Sequence, residues 1–389
     1  MLKKVISIVI VLLFCISFGE HRLTVSANEN SVDLGIESSG CVLIEVSTNK
    51  IIYEKNSNEK MYPASMTKMM GMLLTLEAIH ENKIKFEQEV NVSLEASKMG
   101  GSQVYLEPGE IITIEELFKC VAIASANDAM YALAETIAGS ENQFVNKMNE
   151  KAKKIGMKNT NFVNTTGFDD PNHYSTPKDM GLLARELINK FENEVTKYTS
   201  QVEGYIRQDS DNPFWLVNTN RLLGDYQGLD GLKTGFTQDA GFCLTSTAKR
   251  DNLRLISVVM NAKTKEIRSK DTVKLLDYGF ANYQSIKLYE KGEIIGNVEF
   301  KHSKNENTPI IVNNDVYISV KKGETIDTIN KEIVIEKYSA PIKNNEKIGY
   351  ILIRNSDNDE IKIELFSGEE VEFLHWYDYF ISLFLDMLC

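Results

Sequence analysis

Tyr62-Pro63-Ala64-Ser65-Met66-Thr67-Lys68-Met69-Met70 is the stretch on which the reading of this chain turns. It contains a serine three residues ahead of a lysine. On a helix such a pair shares one face, one turn apart, so the amine comes within reach of the hydroxyl. A serine hydroxyl is a poor nucleophile until a base takes its proton. A lysine can be that base only while neutral, and burial or a nearby positive charge lowers its pKa. Pro63-Ala64 fits a sharp entry into a helix, and a helix start offers backbone N–H groups to a developing oxyanion. Alone, Ser65 would read as an ordinary helix cap.

Two later motifs change that balance. Ser125-Ala126-Asn127 falls at a break inside a helical pattern, directly after Val121-Ala122-Ile123-Ala124. Its serine is placed to relay a proton between Lys68 and a leaving amine, and its asparagine amide to bind a peptide carbonyl and Lys68. Lys233-Thr234-Gly235 reads as part of a strand edging a cleft. Gly235 allows close approach of another backbone. Lys233 and Thr234 supply positive charge and a hydroxyl for a carboxylate, and Lys233 is the second charge that would depress Lys68. Phe236 follows and could give a second oxyanion N–H from its backbone. In order along one chain, S-x-x-K, S-x-N and K-T-G describe a serine nucleophile with a lysine base.

Other chemistries lack their residues. Beyond the N-terminal segment the histidines are His80, His173, His302 and His375, with no H-E-x-x-H pair. No G-x-S-x-G elbow, P-loop or G-x-G-x-x-G occurs. No metal or cofactor is expected. The formal charge is −12, and no Lys/Arg run relieves it. Nucleic acid is therefore not an expected partner. Cys15 lies in the apolar N-terminal run, Cys389 is the last residue, and Cys41, Cys120 and Cys243 sit in apolar contexts without disulfide-like spacing. Buried, reduced thiols are the expectation.

The N-terminus has the pattern of a secretory signal peptide. Lys3-Lys4 precede an apolar run from Val5 to Ile16, and Val25-Ser26-Ala27 gives a small-x-small end. Cleavage is expected after Ala27, and an uncleaved anchor is the alternative. Removal of residues 1–27 deletes three positive residues and one negative, taking the charge from −12 to −14.

Cys41–Val46 and Ile51–Lys55 read as paired strands around a turn at 47–50. Helical periodicity runs over 69–79, 114–137, 142–155, 177–191 and 264–278, with strands at 232–234, 241–248 and 253–261. After Phe280 the pattern changes to short alternating segments separated by turn residues, as in Ile348-Gly349-Tyr350-Ile351-Leu352-Ile353. That is an all-β second domain. In Phe373–Cys389 the most polar residues, His375, Asp378, Ser382 and Asp386, fall three or four apart, and apolar residues cover the rest. A helix of that length spans roughly 25 Å at 1.5 Å per residue, short for a crossing and suited to the bilayer interface. Packing on the β domain is the alternative. So wide an apolar face favours the membrane surface.

These residues together resemble the low-molecular-mass penicillin-binding proteins, and more narrowly the serine-type D-alanyl-D-alanine carboxypeptidases. Asn164-Thr165-Thr166-Gly167-Phe168-Asp169-Asp170, with His173-Tyr174-Ser175-Thr176 and Asp179-Met180, resembles that family's loop bordering the cleft. Gly231 to Thr237 with Ala240-Gly241 resembles its third motif, and Arg268 matches its arginine for the substrate carboxylate. The family usually has glycine where this chain has Ala126, a small departure.

The resemblance implies an α+β fold: a penicillin-binding-protein/β-lactamase-like transpeptidase domain of antiparallel sheet and helices, then a small all-β domain and a C-terminal amphipathic helix. The corresponding boundaries are 1–27 signal peptide, 28–284 serine peptidase domain, 285–370 β domain and 371–389 membrane-associating helix. It implies Ser65, Lys68 and Ser125 as catalytic residues, and Asn127, Lys233, Thr234, Gly235, Phe236 and Arg268 as substrate-binding residues. The substrate would be a peptidoglycan stem peptide ending D-Ala-D-Ala, with β-lactams as covalent inhibitors, no cofactor, and an extracytoplasmic, membrane-associated location. A β-lactamase would need an E-x-x-L-N glutamate, which is missing between Asn127 and Lys233. A D,D-endopeptidase or a non-catalytic wall-binding protein are the remaining alternatives.

Overall fold

The structure, a computed structural model, describes residues 32–208, 210–305, 307–324, 330–354 and 360–378. The expected α+β arrangement is present. A five-stranded antiparallel sheet has the order β2-β1-β9-β8-β7. Its strands are β1 (Gly40–Glu45), β2 (Ile51–Lys55), β7 (Leu229–Thr237), β8 (Gly241–Arg250) and β9 (Leu253–Ala262). Between β2 and β7 lie two small hairpins, β3 (Glu89–Asn91) with β4 (Ile111–Thr113) and β5 (Glu203–Ile206) with β6 (Phe214–Val217).

The sheet is covered on both faces, and β1 and most of β8 and β9 are buried. Side chains on β1 alternate. Val42 and Ile44 meet Gly181 of the long helix Pro177–Thr199, whereas Leu43 and Leu255 meet Gly279 of the helix Lys265–Asn282. A β-carbon at either glycine would strike these side chains, so small residues set how closely each helix sits on the sheet.

On the Pro177–Thr199 side a second helical layer forms the main core. It comprises α1 (Lys68–His80), α2 (Leu94–Ser97), α3 (Ile114–Ile123), α4 (Asn127–Ala138), α5 (Glu141–Lys154) and α6, the Pro177–Thr199 helix; α7 is Lys265–Asn282. Helix α1 is buried almost all round, as an apolar helix at the centre must be. Its Gly71 stands against Met130 of α4. The helix starts follow local chemistry. Thr113 and Glu116 make a capping box for α3, and Thr176 accepts from Asp179 N–H at 3.1 Å with Pro177 in the first turn of α6. The sequence pattern ends α6 at Phe191. The helix in fact continues to Thr199, and Phe191 is where it kinks, with φ −140° and ψ 37°.

Beyond α7 the chain builds the β domain: β10 (Tyr283–Tyr289), β11 (Ile294–Val298), β12 (Thr308–Ile311), β13 (Val316–Lys321), β14 (Asn330–Ile335), β15 (Lys347–Arg354) and β16 (Glu360–Ser367). They form a five-stranded sheet, β11-β12-β16-β15-β14, and a β10-β13 pair, around a core that includes Ile318, Ile348, Ile351 and Leu365. The expected amphipathic helix does not begin at 371. Val371 and Phe373 are extended and form bridges with Ile342 and Ser303 of the β domain, because Val371 is buried in its core, and helix starts only at 376–378. Residues 379–389 and the expected signal segment lie outside the described residues. Among the described residues no helix is long and apolar enough to cross a membrane. Cys41, Cys120 and Cys243 are buried and unbridged.

Candidate active site

The first and third motifs, far apart in sequence, meet where Gly235 of β7 packs on the serine turn, and the second lies at the start of α4, whose Asp128 faces Lys68. Ser65 lies in a 3-10 turn, Ala64–Thr67, that runs directly into α1. The sequence reading opens an α-helix at the serine. The tighter turn matters, because residues i and i+3 eclipse in a 3-10 helix. Lys68 Nζ accordingly sits 2.8 Å from Ser65 Oγ. Two glycines press on this turn. Gly235 of β7 leaves no room for a β-carbon, which would lie 2.8 Å from the Pro63 carbonyl oxygen. Gly167 stands against the Ala64 carbonyl with φ +87°. Ala64 itself is held at φ +46°, an unusual angle for a residue with a side chain.

Lys68 is fully buried, and its Nζ also donates to the Thr166 carbonyl at 2.9 Å. Burial first, and the Lys233 charge second, hold its pKa well below the usual lysine range, against an opposing pull from Asp128. Lys233, on β7, is buried too, and its pKa falls to about 7 through burial and then the Arg268 guanidinium. Arg268, on α7, is almost wholly buried and its Nε has no hydrogen-bond partner among the described residues. Three basic side chains thus gather in one region of an acidic protein, an arrangement suited to an anionic ligand. A polar atom buried without a partner is costly, and Arg268 Nε is one such atom beside Lys233.

Ser125 and Asn127 lie on the helical wall. Ser125 is buried at the break between α3 and α4 in the left-handed region, φ +63°. Asn127 starts α4, and its Nδ2 donates to the Gly100 carbonyl at 2.7 Å, while its Oδ1 is buried and unpartnered among the described residues. The sequence reading aims this amide at Lys68. In the structure the Lys68 Nζ bonds go to Ser65 and Thr166 instead. Asp128 accepts from the Val104, Leu106 and Ala129 N–H groups, fixing the 100–106 loop beside Asn127. On the opposite wall Thr234 Oγ1 lies 2.6 Å from Thr219 Oγ1, and Phe236 is half exposed, stacked on Phe242 with ring centroids 4.3 Å apart.

The structure therefore brings Lys68 into contact with Ser65, sets Lys233 beside Lys68 and Arg268 beside Lys233, and packs Gly235 on the serine turn; Ser125, Asn127, Thr234 and Phe236 lie on the adjoining segments. The motifs alone leave out the residues that hold these groups in place. Asn164 folds its loop by accepting from the Gly167 N–H at 2.7 Å and the Thr166 and Phe168 N–H groups at 3.2 Å. Asp169 takes a bond from Thr237 Oγ1 at 2.7 Å and ties that loop to the end of β7. Thr166 acts through a backbone carbonyl, which leaves no side-chain signal in a sequence. Thr219 has no motif around it.

Comparison with known proteins agrees with this geometry. Residues 24–264 match the D-alanyl-D-alanine carboxypeptidase family, peptidase S11, and residues 283–373 match the penicillin-binding protein 5 C-terminal domain. The D-alanyl-D-alanine carboxypeptidase DacF of Bacillus subtilis is 42% identical over 354 residues, 91% of this chain and 90% of that protein. The crystal structure of penicillin-binding protein 5 from Haemophilus influenzae has a TM-score of 0.73 and 30% identity, covering 87% of this chain and 98% of that one. Penicillin-binding protein D2 from Listeria monocytogenes, solved with ampicillin bound, has a TM-score of 0.58 and 35% identity, covering 64% of this chain and all (100%) of that one.

Proposed function

Because the chain belongs to the peptidase S11 family of D-alanyl-D-alanine carboxypeptidases, we infer that it removes the terminal D-alanine from peptidoglycan stem pentapeptides through an acyl-enzyme on Ser65. The observation that carries this reading is the 2.8 Å contact of Lys68 Nζ with Ser65 Oγ, made by a buried lysine beside a second buried lysine. Neutral Lys68 takes the Ser65 proton as the hydroxyl attacks the penultimate carbonyl. The oxyanion is received by backbone N–H groups of Ser65 and Phe236. Ser125 passes a proton to the departing D-alanine amine, and water then hydrolyses the ester. Asn127 holds a substrate amide carbonyl.

Lys233, Thr234 and Arg268 bind the terminal carboxylate, and Gly235 lets the substrate strand lie flat along β7. This demand for a free carboxylate favours a carboxypeptidase over a D,D-endopeptidase. A non-catalytic wall-binding protein would have no use for a neutralised lysine beside the serine. Penicillin, which carries a carboxylate beside a strained amide, acylates the same serine. The cellular role is cell-wall remodelling outside the cytoplasmic membrane. Residues 1–27 serve as the signal peptide, 28–282 as the catalytic domain, 283–373 as the β domain and the residues from 376 onward as a membrane-surface helix. The exposed aromatic side chains of Phe373, Trp376 and Tyr377, at and just before the helical residues 376–378, support the last assignment.

The deciding experiment measures free D-alanine released from a pentapeptide ending Lys-D-Ala-D-Ala by wild type and Ser65→Ala. Release by wild type alone is expected. Release by both would sink the nucleophile assignment, and release by neither would move the reading to cross-linked peptide dimers.

A further inference from the structure

We propose that His173 is a positioning residue for Lys68, closing a ring of hydrogen bonds that holds the lysine amine against Ser65. The proposal rests on the reading of Ser65 as nucleophile and Lys68 as its base. His173 lies outside the three motifs and is almost fully buried. Its Nδ1 accepts from the Val163 backbone N–H at 3.2 Å. The ring proton therefore sits on Nε2, which donates to Thr67 Oγ1 at 2.8 Å. Phe162 meets the imidazole edge-on at 5.6 Å and fixes its plane.

Each end of this bridge leads to Lys68. Thr67 precedes Lys68 in the chain. Val163 precedes Asn164, whose Oδ1 folds the loop so that the Thr166 carbonyl accepts from Lys68 Nζ at 2.9 Å. The path Lys68, Thr67, His173, Val163, Asn164, Thr166 and back to Lys68 Nζ is a closed circuit. The serine turn fixes where the lysine side chain begins, and the 164–168 loop fixes where it ends. A lysine side chain has several rotatable bonds, so its amine is placed only as well as these two segments are placed relative to each other. His173 is the side chain that hydrogen-bonds them together. Misplacing a reacting group by about 1 Å can cost up to about a hundredfold in rate.

The test is single-turnover acylation by a fluorescent penicillin, using the full chain. The variants are Thr67→Val, Thr67→Ser, His173→Asn and the double Thr67→Val/His173→Asn. The asparagine introduced by His173→Asn can still accept from Val163 but is too short to reach Thr67, whereas Thr67→Ser keeps the hydroxyl. Thr67→Val and His173→Asn are expected to slow acylation by about ten- to a hundredfold. The double variant should be no slower than the slower single, because one link is broken in all three. Thr67→Ser should stay close to wild type.

The pH midpoint of acylation should also rise in the slowed variants. A released Nζ can hydrate its charge, although Lys233 from β7 and Asp128 from α4 still face it. Wild-type rates and an unchanged midpoint in Thr67→Val and His173→Asn would overturn the proposal, as would losses that multiply in the double variant. If His173→Asn gives no cooperative unfolding transition, the Thr67→Val and Thr67→Ser pair decides. Ser65→Ala runs alongside. Labelling that persists there would overturn the site reading itself, whatever the His173 variants do.

Discussion

Gly167 stands with its α-carbon against the carbonyl group of Ala64, and both residues hold left-handed backbone angles, φ +87° and +46°. The loop that positions the Thr166 carbonyl and the turn that carries Ser65 are thus in backbone contact. A side chain at 167 would meet both a forbidden angle and the Ala64 carbonyl. Gly167→Ala should cost about 2–4 kcal/mol of stability, from strain plus overpacking. It should also slow penicillin acylation in the folded fraction. Thermal denaturation and a burst assay check the two effects, and wild-type values in both would refute the contact.

On the proposed mechanism, in which Lys68 is the base and Lys233 holds the carboxylate, the two lysines set the pH limits of the reaction. Lys68 works neutral, so acylation rises as pH climbs through its depressed pKa. Lys233 works charged, and its pKa in the free enzyme is about 7. Above that pH it loses its proton and its hold on a carboxylate. The kcat/KM for the pentapeptide should therefore fall on the alkaline side from about pH 7. Lys233→Arg should move that limb upward, since a guanidinium stays charged. A flat profile between about pH 6 and 9 would contradict this assignment.

Arg268 should separate peptide from drug. In the proposed mechanism it binds the substrate carboxylate, and it also depresses Lys233. Arg268→Ala should reduce pentapeptide cleavage by about tenfold or more, the scale of one hydrogen bond to a charged group. Penicillin acylation should fall less. The alkaline limb should shift upward, because the neighbouring positive charge has gone. Equal losses for peptide and penicillin would argue against a carboxylate role.

His173 predicts an acid-side loss of stability. Burial lowers its pKa from 6.5 to about 4, and Asp170 opposes the shift. In the unfolded chain the ring takes up a proton below about 6.5, whereas the folded protein resists until about 4. Its contribution is thus fully present above about 6.5 and is lost as pH falls from there to about 4. The loss is about 3 kcal/mol at roughly 1.4 kcal/mol per unit. Urea melts across that range should show the decline, and His173→Asn should flatten it. An identical slope in the variant would place the acid sensitivity elsewhere.

Much of this was legible before the structure. Cys41–Val46 and Leu253–Asn261 read as strands from their apolar content, and both take their places in the central sheet. The helical pattern over 114–137 breaks at Ser125, where the chain does turn between α3 and α4. The short hairpins β3/β4 and β5/β6 escape notice because three- and four-residue strands leave too little periodicity. Phe191 looks like a helix end because local pattern registers the kink, while packing carries the helix on to Thr199.

For the site, the sequence determined the chemistry: which residues can be nucleophile, base and anion binders. Those roles reside in side-chain types at short spacing, and spacing is written in the chain. Tertiary structure alone decided that Lys68 is stripped of water, that Lys233 presses its charge on Lys68 and Arg268 on Lys233, and that a backbone carbonyl from residue 166 holds the Lys68 amine. Proton affinity and placement depend on what is packed around a group. Here that packing comes from segments distant in sequence, as the Thr166 carbonyl is from Lys68 with a separation of 98.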